Sequence, residues 1–182
     1  MNKQWWDWIK AFVIAAALAI IVRVFLFAPV VVEGPSMQNT LHNGDHLIVS
    51  KINYTLGEPD RFDVVVFHAT ETKDYIKRVI GLPGDHIEYK SDQLYVNGKK
   101  VDEKFLNDRL SKMPEGDVLT DDFSIEQVPG GYDTVPEGEL LVLGDNRNNS
   151  TDSRMLGMIP EDKIVGQAVL LYWPLNRIRL VH

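Results

Sequence analysis

The sequence contains no cysteine among its 182 residues. This absence excludes disulfide bonds, a structural zinc site with thiolate ligands and a thiol nucleophile. It does not identify the cellular compartment, because many exported proteins also lack cysteine. About 150 residues follow an apolar amino-terminal run, which is a usual size for one domain with its own core.

Clustered positive charge is also scarce, and the formal net charge is −7. Lys3, Lys10 and Arg23 against Asp7 leave residues 1–28 at +2, so the remainder carries −9. An acidic body argues against nucleic acid as a partner, because phosphate binding needs clustered lysine and arginine. The basic residues before the apolar run predict a cytoplasmic amino terminus and an acidic domain on the other side of a membrane.

The apolar run covers Ile9–Ala28. As a helix it is long enough to cross a hydrocarbon core of about 30 Å. Trp5, Trp6 and Trp8 precede it, where indole rings favour the membrane interface, and Pro29 is expected to end the helix. We therefore expect a cytoplasmic tip and a single transmembrane anchor in residues 1–28 and an extracytoplasmic catalytic domain in residues 29–182.

Two other interpretations of this run remain open. A cleaved export signal is one, because Ala15–Ala19 offers the small residues typical of a cleavage site. The apolar stretch continues well past those residues, which favours a permanent anchor. A buried core helix is the third and weakest interpretation.

Repeats, low-complexity tracts and regularly alternating helices are all missing from the rest of the chain. Short β-branched runs bounded by Gly, Pro or Asp predict strands instead. We expect a mainly β fold, with a coiled or barrel-like sheet following the transmembrane helix. The predicted strands lie in Asp45–Ile52, Phe62–Ala69, Asp74–Leu82, Gly138–Asp145 and Ile164–Trp173.

A hairpin is predicted in His86–Val101, followed by a turn at Asn97-Gly98. The next segment, Asp102–Ser124, is charged and has no clear period. We interpret it as an inserted excursion from the sheet that contains one short helix.

Ser36 lies in "GPSMQNTL", directly after the apolar run. The chain has no G-x-S-x-G pattern around this serine, so an α/β-hydrolase elbow is not indicated. Gly34 allows close backbone approach and Pro35 restricts the conformation before Ser36. These neighbours suit a hydroxyl held at a fixed angle, although an ordinary turn serine has the same pattern.

Histidine is a poor candidate for the base that a serine nucleophile requires. The five histidines lie in no recognisable catalytic motif. His42 and His46 are four residues apart, but Asn43-Gly44 between them disfavours a helix that could pair them on a metal ion. We therefore expect no metal site and no cofactor.

Lys77, in "YIKRVIGLPGD", is the alternative base. On a strand it shares one face with Tyr75 and Val79, which predicts at least partial burial. Burial disfavours the ammonium form and lowers the lysine pKa, which makes a neutral amine available. The competing interpretation is a lysine that snorkels from the edge of the strand to solvent.

The segment "GDNRNNSTDSR", Gly144–Arg154, is the densest polar run in the chain and follows an apolar strand. Such loops often carry functional groups, although a solvated loop has the same composition. A calcium loop is disfavoured, because an EF-hand needs an oxygen ligand where Arg147 lies. Its candidate polar side chains are Asp145, Arg147, Ser150, Asp152, Ser153 and Arg154.

These three motifs, in this order after an apolar run, resemble the bacterial type I signal peptidases, and the length resembles the Gram-positive members. The resemblance implies a serine endopeptidase with a Ser–Lys dyad that removes signal peptides from exported preproteins after Ala-x-Ala, through an acyl-enzyme. It implies Ser36 as nucleophile, Lys77 as general base and Ser150 as a hydrogen-bond partner that orients the amine. It also implies that Asp145 and Arg147 support the site, with Asp152 and Arg78 structural nearby.

One position departs from some members of that family. They carry a serine two residues before the nucleophile as an oxyanion donor, whereas this chain has Gly34. The Ser36 N–H would then be the first donor, with the Gly34 N–H or a water as the second.

The resemblance also implies preproteins and the lipid bilayer as partners and the cell membrane as the location. Two other functions stay open at this stage. One is an anchored β domain that binds export substrates without cutting them. The other is a soluble Ser–Lys autoprotease of the SOS-response repressor type, which the apolar run disfavours.

Overall fold

The computed structural model describes residues 3–21, 26–52, 54 and 57–181. Over these residues the protein is mainly β, as the short β-branched runs predict. Its strands are β1 (Phe27–Val31), β2 (His46–Ser50), β3 (Val64–Thr70), β4 (Lys73–Gly81), β5 (Ile87–Lys90), β6 (Gln93–Val96), β7 (Lys99–Val101), β8 (Phe123–Ser124), β9 (Glu139–Leu143), β10 (Ile159–Pro160), β11 (Ile164–Trp173) and β12 (Arg179–Leu180).

Helical segments are few among these residues. The α-helices are α1 (Lys3–Ile21), α2 (Asn107–Leu110) and α3 (Ser153–Leu156). Single-turn 3₁₀ helices cover Lys104–Leu106, Ile125–Gln127, Glu161–Lys163 and Leu175–Arg177.

The strands form two antiparallel sheets. The larger sheet has the order β1-β2-β11-β3-β4-β9-β10, with β12 also paired to β11. The smaller sheet has the order β7-β6-β5-β8. In the larger sheet, β4 lies between β3 and β9, and Arg78 pairs both with Val64 on β3 and with Leu143 on β9. A side chain on that part of β4 is therefore held by a backbone that cannot shift independently.

Buried apolar side chains fill both sides of this arrangement. Val65, Phe67 and Val79 pack with residues of β9 and β10, and Leu47 packs with Leu171 and the segment after β1. The smaller sheet packs against the larger one through Ile87 and its neighbours. Burial of this apolar surface is the main stabilising contribution to the fold.

The predicted strands are confirmed to within a few residues at their ends. The run Ile164–Trp173 is β11, and the hairpin of His86–Val101 is β5, β6 and β7. Asn97 and Gly98 both have positive φ, as a tight turn between β6 and β7 requires. Four strands were missed, because β8, β10 and β12 are two residues long and β1 begins inside the predicted anchor and continues past its end at residue 28.

The expected transmembrane helix over Ile9–Ala28 is not found. The helix is described over Lys3–Ile21, residues 22–25 lie outside the described residues, and Phe27–Val31 is strand β1. Within the described part of the chain, no helix combines the length and the apolar character that a membrane crossing needs.

Pro29 does not end the helix but lies inside β1. It pairs in register with Ile48 on β2, and β1 is the outermost strand of the larger sheet. An edge strand tolerates proline because the missing N–H need not face a partner strand. The predicted boundary between residues 28 and 29 therefore falls inside β1.

The segment Asp102–Ser124 contains the expected short helix, α2, but it is not separate from the sheets. Leu106, Leu119 and Thr120 are buried, and Ser124 belongs to β8 of the smaller sheet. The sequence did not predict this packing, because the segment is charged and only scattered apolar residues point inward.

Candidate active site

Ser36 lies in a tight turn between β1 and β2. The Gln38 N–H donates to the Pro35 carbonyl at 3.0 Å, and the Leu41 N–H donates to the Met37 carbonyl at 2.8 Å. Met37 and Leu41 are buried in the core. These contacts fix the backbone on both sides of the half-buried Ser36.

Lys77 lies on β4, where it pairs with Val65 on β3 directly before the doubly paired Arg78, and its side chain reaches this turn. Its Nζ donates to Ser36 Oγ at 2.8 Å and to the Ile76 carbonyl at 3.0 Å. The residue is 3 % exposed, so the interpretation as a snorkelling lysine is wrong. The structure thus brings together two side chains that are 41 positions apart in the sequence.

Burial lowers the pKa of Lys77 from 10.5 to about 8, against the opposing influence of the negative charges of Asp152 and Asp145. The physical reason is that an ammonium ion loses hydration in this site and gains only partial compensation. Near pH 8 a large share of the amines are therefore neutral and able to accept a proton.

An open cleft of about 580 Å³ reaches this pair of residues. One wall is the chain from Val30 to Met37 and the other is Thr72–Lys77, with Asn149 and Thr151 contributing from the loop after β9. Val30 and Val31 of β1 and residues 73–77 of β4 contribute extended backbone to the two walls, an arrangement that suits an extended peptide.

Asp145 and Arg78 form a buried ion pair behind the cleft. Arg78 Nε and Nη2 donate to the two carboxylate oxygens of Asp145 at 2.9 and 2.8 Å. The Thr40 hydroxyl donates to the same carboxylate, and Arg78 also donates to the Phe62 carbonyl at 2.7 Å. This pair joins β4, the turn of Ser36 and the loop after β9.

Asp152 organises the second half of the polar loop. Its carboxylate accepts from the Gly144 N–H at 3.0 Å and from Arg154 Nη2 and Nε at 2.8 and 2.9 Å. Burial alone would raise the pKa of Asp152, but the hydrogen bonds and charge of Arg154 lower it below its usual value. Ser153 is fully buried and its hydroxyl accepts from the Val142 N–H at 2.9 Å.

Arg147 points away from the cleft into the smaller sheet. Its guanidinium contacts Glu103, Tyr89 Oη and Thr120 Oγ1. It also donates to the Gly144 carbonyl at 3.1 Å. Sequence reasoning missed Glu103, Tyr89 and Thr120, because no pattern in the chain links them to the loop.

Ser150 differs from its expected role. Its hydroxyl oxygen is buried, and the Lys77 amine donates to Ser36 and Ile76 and not to Ser150 in the described part of the chain. The hydroxyl lies close enough to the Asp152 carboxylate to help lower the pKa of Asp152. Ser150 Oγ instead faces Gly144, where an added Cβ would also lie 2.5 Å from the Ser36 carbonyl oxygen. Gly144 therefore allows the loop to approach the nucleophile's backbone closely.

The expected second oxyanion donor is engaged elsewhere. The Gly34 N–H donates to the Asn43 side chain at 3.0 Å. Gly34 has φ of +87°, a conformation that favours glycine. No pattern in the sequence links Asn43 to Gly34.

Among the described histidines none lines the cleft, although His68 Nδ1 lies 2.6 Å from Asp74 Oδ1 and Asp74 does line it. His46 Nδ1 is 3.3 Å from Tyr172 Oη, and His182 lies outside the described residues. Within the part of the chain that the structure describes, no group of three or more His, Asp or Glu side chains is arranged to hold a metal ion.

Comparison with known proteins now decides the family. The family described as signal peptidase, peptidase S26, matches residues 5–173. The chain belongs to the signal peptidase family. Signal peptidase I of Bacillus caldolyticus is 49 % identical over 172 residues, which is 94 % of this chain and 91 % of that protein. Signal peptidase IB of Staphylococcus aureus is 43 % identical over 182 residues, which is 98 % of this chain and 95 % of that protein.

A solved structure of this family has the same fold. The crystal structure of a signal peptidase I from Enterococcus faecalis V583 matches with a TM-score of 0.57 and 38 % identity, covering 60 % of this chain and 96 % of that chain. Membership of the signal peptidase family makes this chain a serine endopeptidase. The predicted resemblance to signal peptidases is confirmed. The alternative hypothesis, a β domain that binds export substrates without cutting them, is wrong.

Proposed function

We propose that this protein cleaves amino-terminal signal peptides from exported preproteins after small residues, using Ser36 as nucleophile and Lys77 as general base. The observation that supports this most directly is the 2.8 Å contact between Lys77 Nζ and Ser36 Oγ at the end of an open cleft. The names of the relatives, signal peptidase I and IB, support the choice of substrate.

The proposed reaction begins when the neutral amine of Lys77 accepts the Ser36 proton as the oxygen attacks the scissile carbonyl. The resulting ammonium then protonates the leaving amine, which leaves an acyl-enzyme on Ser36. A water molecule, deprotonated by the regenerated amine, hydrolyses that ester. The lowered pKa of Lys77 supports this role, because the base must be free of its proton near neutral pH.

The tetrahedral oxyanion needs hydrogen-bond donors, and loss of one donor typically costs about 10²–10³ in turnover. The Ser36 N–H is our candidate for the first donor. The Gly34 N–H is already bonded to Asn43, so a second donor from Gly34 requires that this bond open. A water molecule or the substrate's own groups are the remaining sources.

An extended preprotein segment fits between the walls of the cleft, with backbone hydrogen bonds providing affinity and alternate side chains entering shallow pockets. The apolar residues Val30, Val32 and Ile76 line these walls. Small side chains such as those of Ala-x-Ala suit a cleft formed directly by two backbones.

We also propose that the amino-terminal segment attaches the enzyme to the cell membrane, with its first residues in the cytoplasm and the catalytic domain outside. The exposed apolar side chains of α1, among them Trp5, Trp8 and Phe12 at 69, 71 and 75 %, support contact with lipid. The catalytic site would then lie close to emerging signal segments, which raises their effective concentration.

The test is cleavage of one Ala-x-Ala preprotein by the full chain in detergent or vesicles. We expect Ser36→Ala and Lys77→Ala each to lower kcat/KM by at least about 10³, because each removes a member of one catalytic unit. Lys99→Ala, an exposed lysine on β7, serves as the matched control and should retain full activity.

Circular dichroism and thermal unfolding of each variant show whether it is folded under the assay conditions. Substantial processing by a folded Ser36→Ala or Lys77→Ala variant would reject the dyad. Failure of the wild-type enzyme to cleave any Ala-x-Ala preprotein would reject the substrate.

A further inference from the structure

Glu103 is a buried carboxylate that the proposed reaction does not use. It lies after β7, in the segment Asp102–Ser124, and is 8 % exposed. Its oxygens bind the Arg147 guanidinium, and Tyr89 Oη donates to Oε1 at 2.8 Å. Tyr89 and Thr120, which also contact Arg147, are each 1 % exposed. The guanidinium is therefore held from three directions by the smaller sheet and the segment beside it.

Arg147 transmits this restraint to the polar loop. Its Nε donates to the Gly144 carbonyl at 3.1 Å, and its own carbonyl accepts from Arg154 Nη2 at 2.7 Å. Both ends of the stretch Gly144–Arg147 are thus fixed. Asn146 lies inside this stretch and is 7 % exposed.

Asn146 in turn binds the backbone around the nucleophile. Its N–H donates to the Ser36 carbonyl at 2.9 Å, and its Nδ2 donates to the Pro35 carbonyl at 3.1 Å. The Pro35 carbonyl and the Ser36 N–H belong to one planar peptide unit. The hydrogen bond to the Pro35 oxygen therefore sets the direction of the Ser36 N–H. The hydrogen bond to the Ser36 oxygen fixes the following peptide unit, between Ser36 and Met37.

We propose that Glu103 is a positioning residue for peptide hydrolysis, which acts through Arg147 and Asn146 on the two peptide units that flank Ser36. This inference rests on the proposed role of Ser36. Glu103 lies on the far side of Arg147 from the reacting groups, so its effect is on geometry and not on proton transfer.

The test compares Glu103→Gln with Glu88→Gln. Glutamine has the shape of glutamate but removes the charge that holds Arg147. Glu88 is the matched control, because it lies on β5 of the smaller sheet and pairs with Lys90 at 2.6 Å instead of with the loop. On an Ala-x-Ala preprotein we expect Glu103→Gln to lower kcat by about 10- to 100-fold, the effect of a small misplacement of reacting groups, with KM changed less than twofold.

The assay runs below the thermal unfolding temperature of each variant. A kcat for folded Glu103→Gln within twofold of wild type, or a change in KM alone, would overturn the proposal. If Glu103→Gln does not fold at the assay temperature, Tyr89→Phe replaces it. That change removes the hydroxyl joined to both charges, and the same two outcomes apply to it.

A double variant tests the route through Asn146. Asn146→Ala alone should lower kcat, and adding Glu103→Gln should lower it further by less than threefold, because both changes release the same peptide units. Effects on kcat that multiply would mean that Glu103 and Asn146 act independently, which contradicts this route.

Amide hydrogen exchange separates this inference from the proposed function. Glu103→Gln should increase exchange in peptides covering residues 34–41 and 144–150, whereas Glu88→Gln should not. Unchanged exchange in those peptides would overturn the proposal whether or not the enzyme cleaves preproteins. An inactive wild type with the expected exchange pattern would instead reject the proposed function and leave the structural link intact.

Discussion

Lys77 shows at the residue scale how activity and stability oppose each other. Its 3 % exposure makes the ammonium form costly, and the same cost lowers the pKa to about 8. A surface lysine would stabilise the fold at no such cost, but it would stay protonated near neutral pH. The fold therefore maintains a destabilising group where the chemistry needs a neutral amine.

Replacing Lys77 with methionine should stabilise the protein at pH 7. The unfolded lysine has a pKa near 10.5 and the folded one about 8, so between these values the unfolded state binds more protons. Wild-type stability should therefore rise as pH increases from 8 to 10.5, whereas the Lys77→Met variant lacks this rise. At pH 7 we expect a gain in free energy of unfolding on the order of 3 kcal/mol.

Urea denaturation at several pH values measures this effect, with Lys99→Met as the exposed control. A Lys77→Met variant no more stable than wild type at pH 7 would mean that burying the ammonium costs little free energy of unfolding.

The enzyme's kcat/KM for preprotein should rise with pH through about 8, as the Lys77 ammonium loses its proton.

The sequence identifies functional residues best where they lie in short motifs. "GPSMQNTL" and "YIKRVIGLPGD" identified Ser36 and Lys77 as the candidate pair, and the structure brings them within hydrogen-bond distance. Asn43 and Glu103 escaped notice, because their importance comes only from contacts with distant residues. The hydrogen bond expected between Ser150 and the Lys77 amine is not among those of Lys77, which donates to Ser36 and Ile76, because motif order carries no distances.

At the scale of elements, the loop after β9 is held to β4 by the Arg78–Asp145 pair. Arg78 is fully buried and Asp145 is 1 % exposed. Their two parallel hydrogen bonds give a geometry that the guanidinium and carboxylate groups favour. The pair holds the polar loop next to the strand that carries Lys77.

Breaking this pair should destabilise the fold strongly. We expect Arg78→Met to lower the free energy of unfolding by about 3–5 kcal/mol, because it leaves the Asp145 carboxylate buried without its cation. The double variant Arg78→Met, Asp145→Leu should recover part of that loss. Guanidinium chloride denaturation measures both, and Lys112→Met, in an exposed pair with Asp108, is the control.

An Arg78→Met variant that loses less than about 1 kcal/mol would contradict this expectation, because buried pairs normally cost more to break. A double variant less stable than Arg78→Met would show that the carboxylate has other partners of equal weight, of which Thr40 is the first candidate.

Strands were predictable where the pattern of apolar residues was long. β11 has ten residues, and its sequence pattern predicted both of its ends. β1 was missed because its first two residues, Phe27 and Ala28, belong to the apolar run and Pro29 follows them directly. Only pairing with β2 distinguishes this strand from the preceding helix.

At the scale of the whole molecule, the boundary of the catalytic domain depends on β1. The Lys51 N–H donates to the Leu26 carbonyl at 2.9 Å, and β1 pairs with β2 from Phe27 to Val31. Val30 to Met37 also form one wall of the cleft. The domain therefore includes Phe27 and Ala28, which the sequence pattern assigned to the anchor.

Two truncated chains should behave differently. A chain of residues 26–182 should fold and cleave a soluble Ala-x-Ala peptide, because it retains β1. A chain of residues 32–182 should be less stable by about 2–4 kcal/mol, since it loses the pairing and apolar contacts of that strand. Urea denaturation and peptide cleavage measure both properties.

Fractionation of cells that express the full chain or residues 26–182 tests the proposed membrane attachment. The full chain should sediment with membranes and the shorter one should not. A full chain in the soluble fraction would contradict the membrane attachment.

For the truncated chains, equal free energies of unfolding would contradict the role given to β1.

The sequence by itself determined the class of fold, the order of the motifs and the acidic, cysteine-free character of the protein, because these depend on local pattern and composition. The tertiary structure decided which groups meet. Pairing and packing of the two sheets bring together three pairs that are distant in the sequence: Ser36 with Lys77, Glu103 with Arg147, and Arg78 with Asp145. Contacts of that kind depend on strand register and burial, which no short stretch of residues specifies alone.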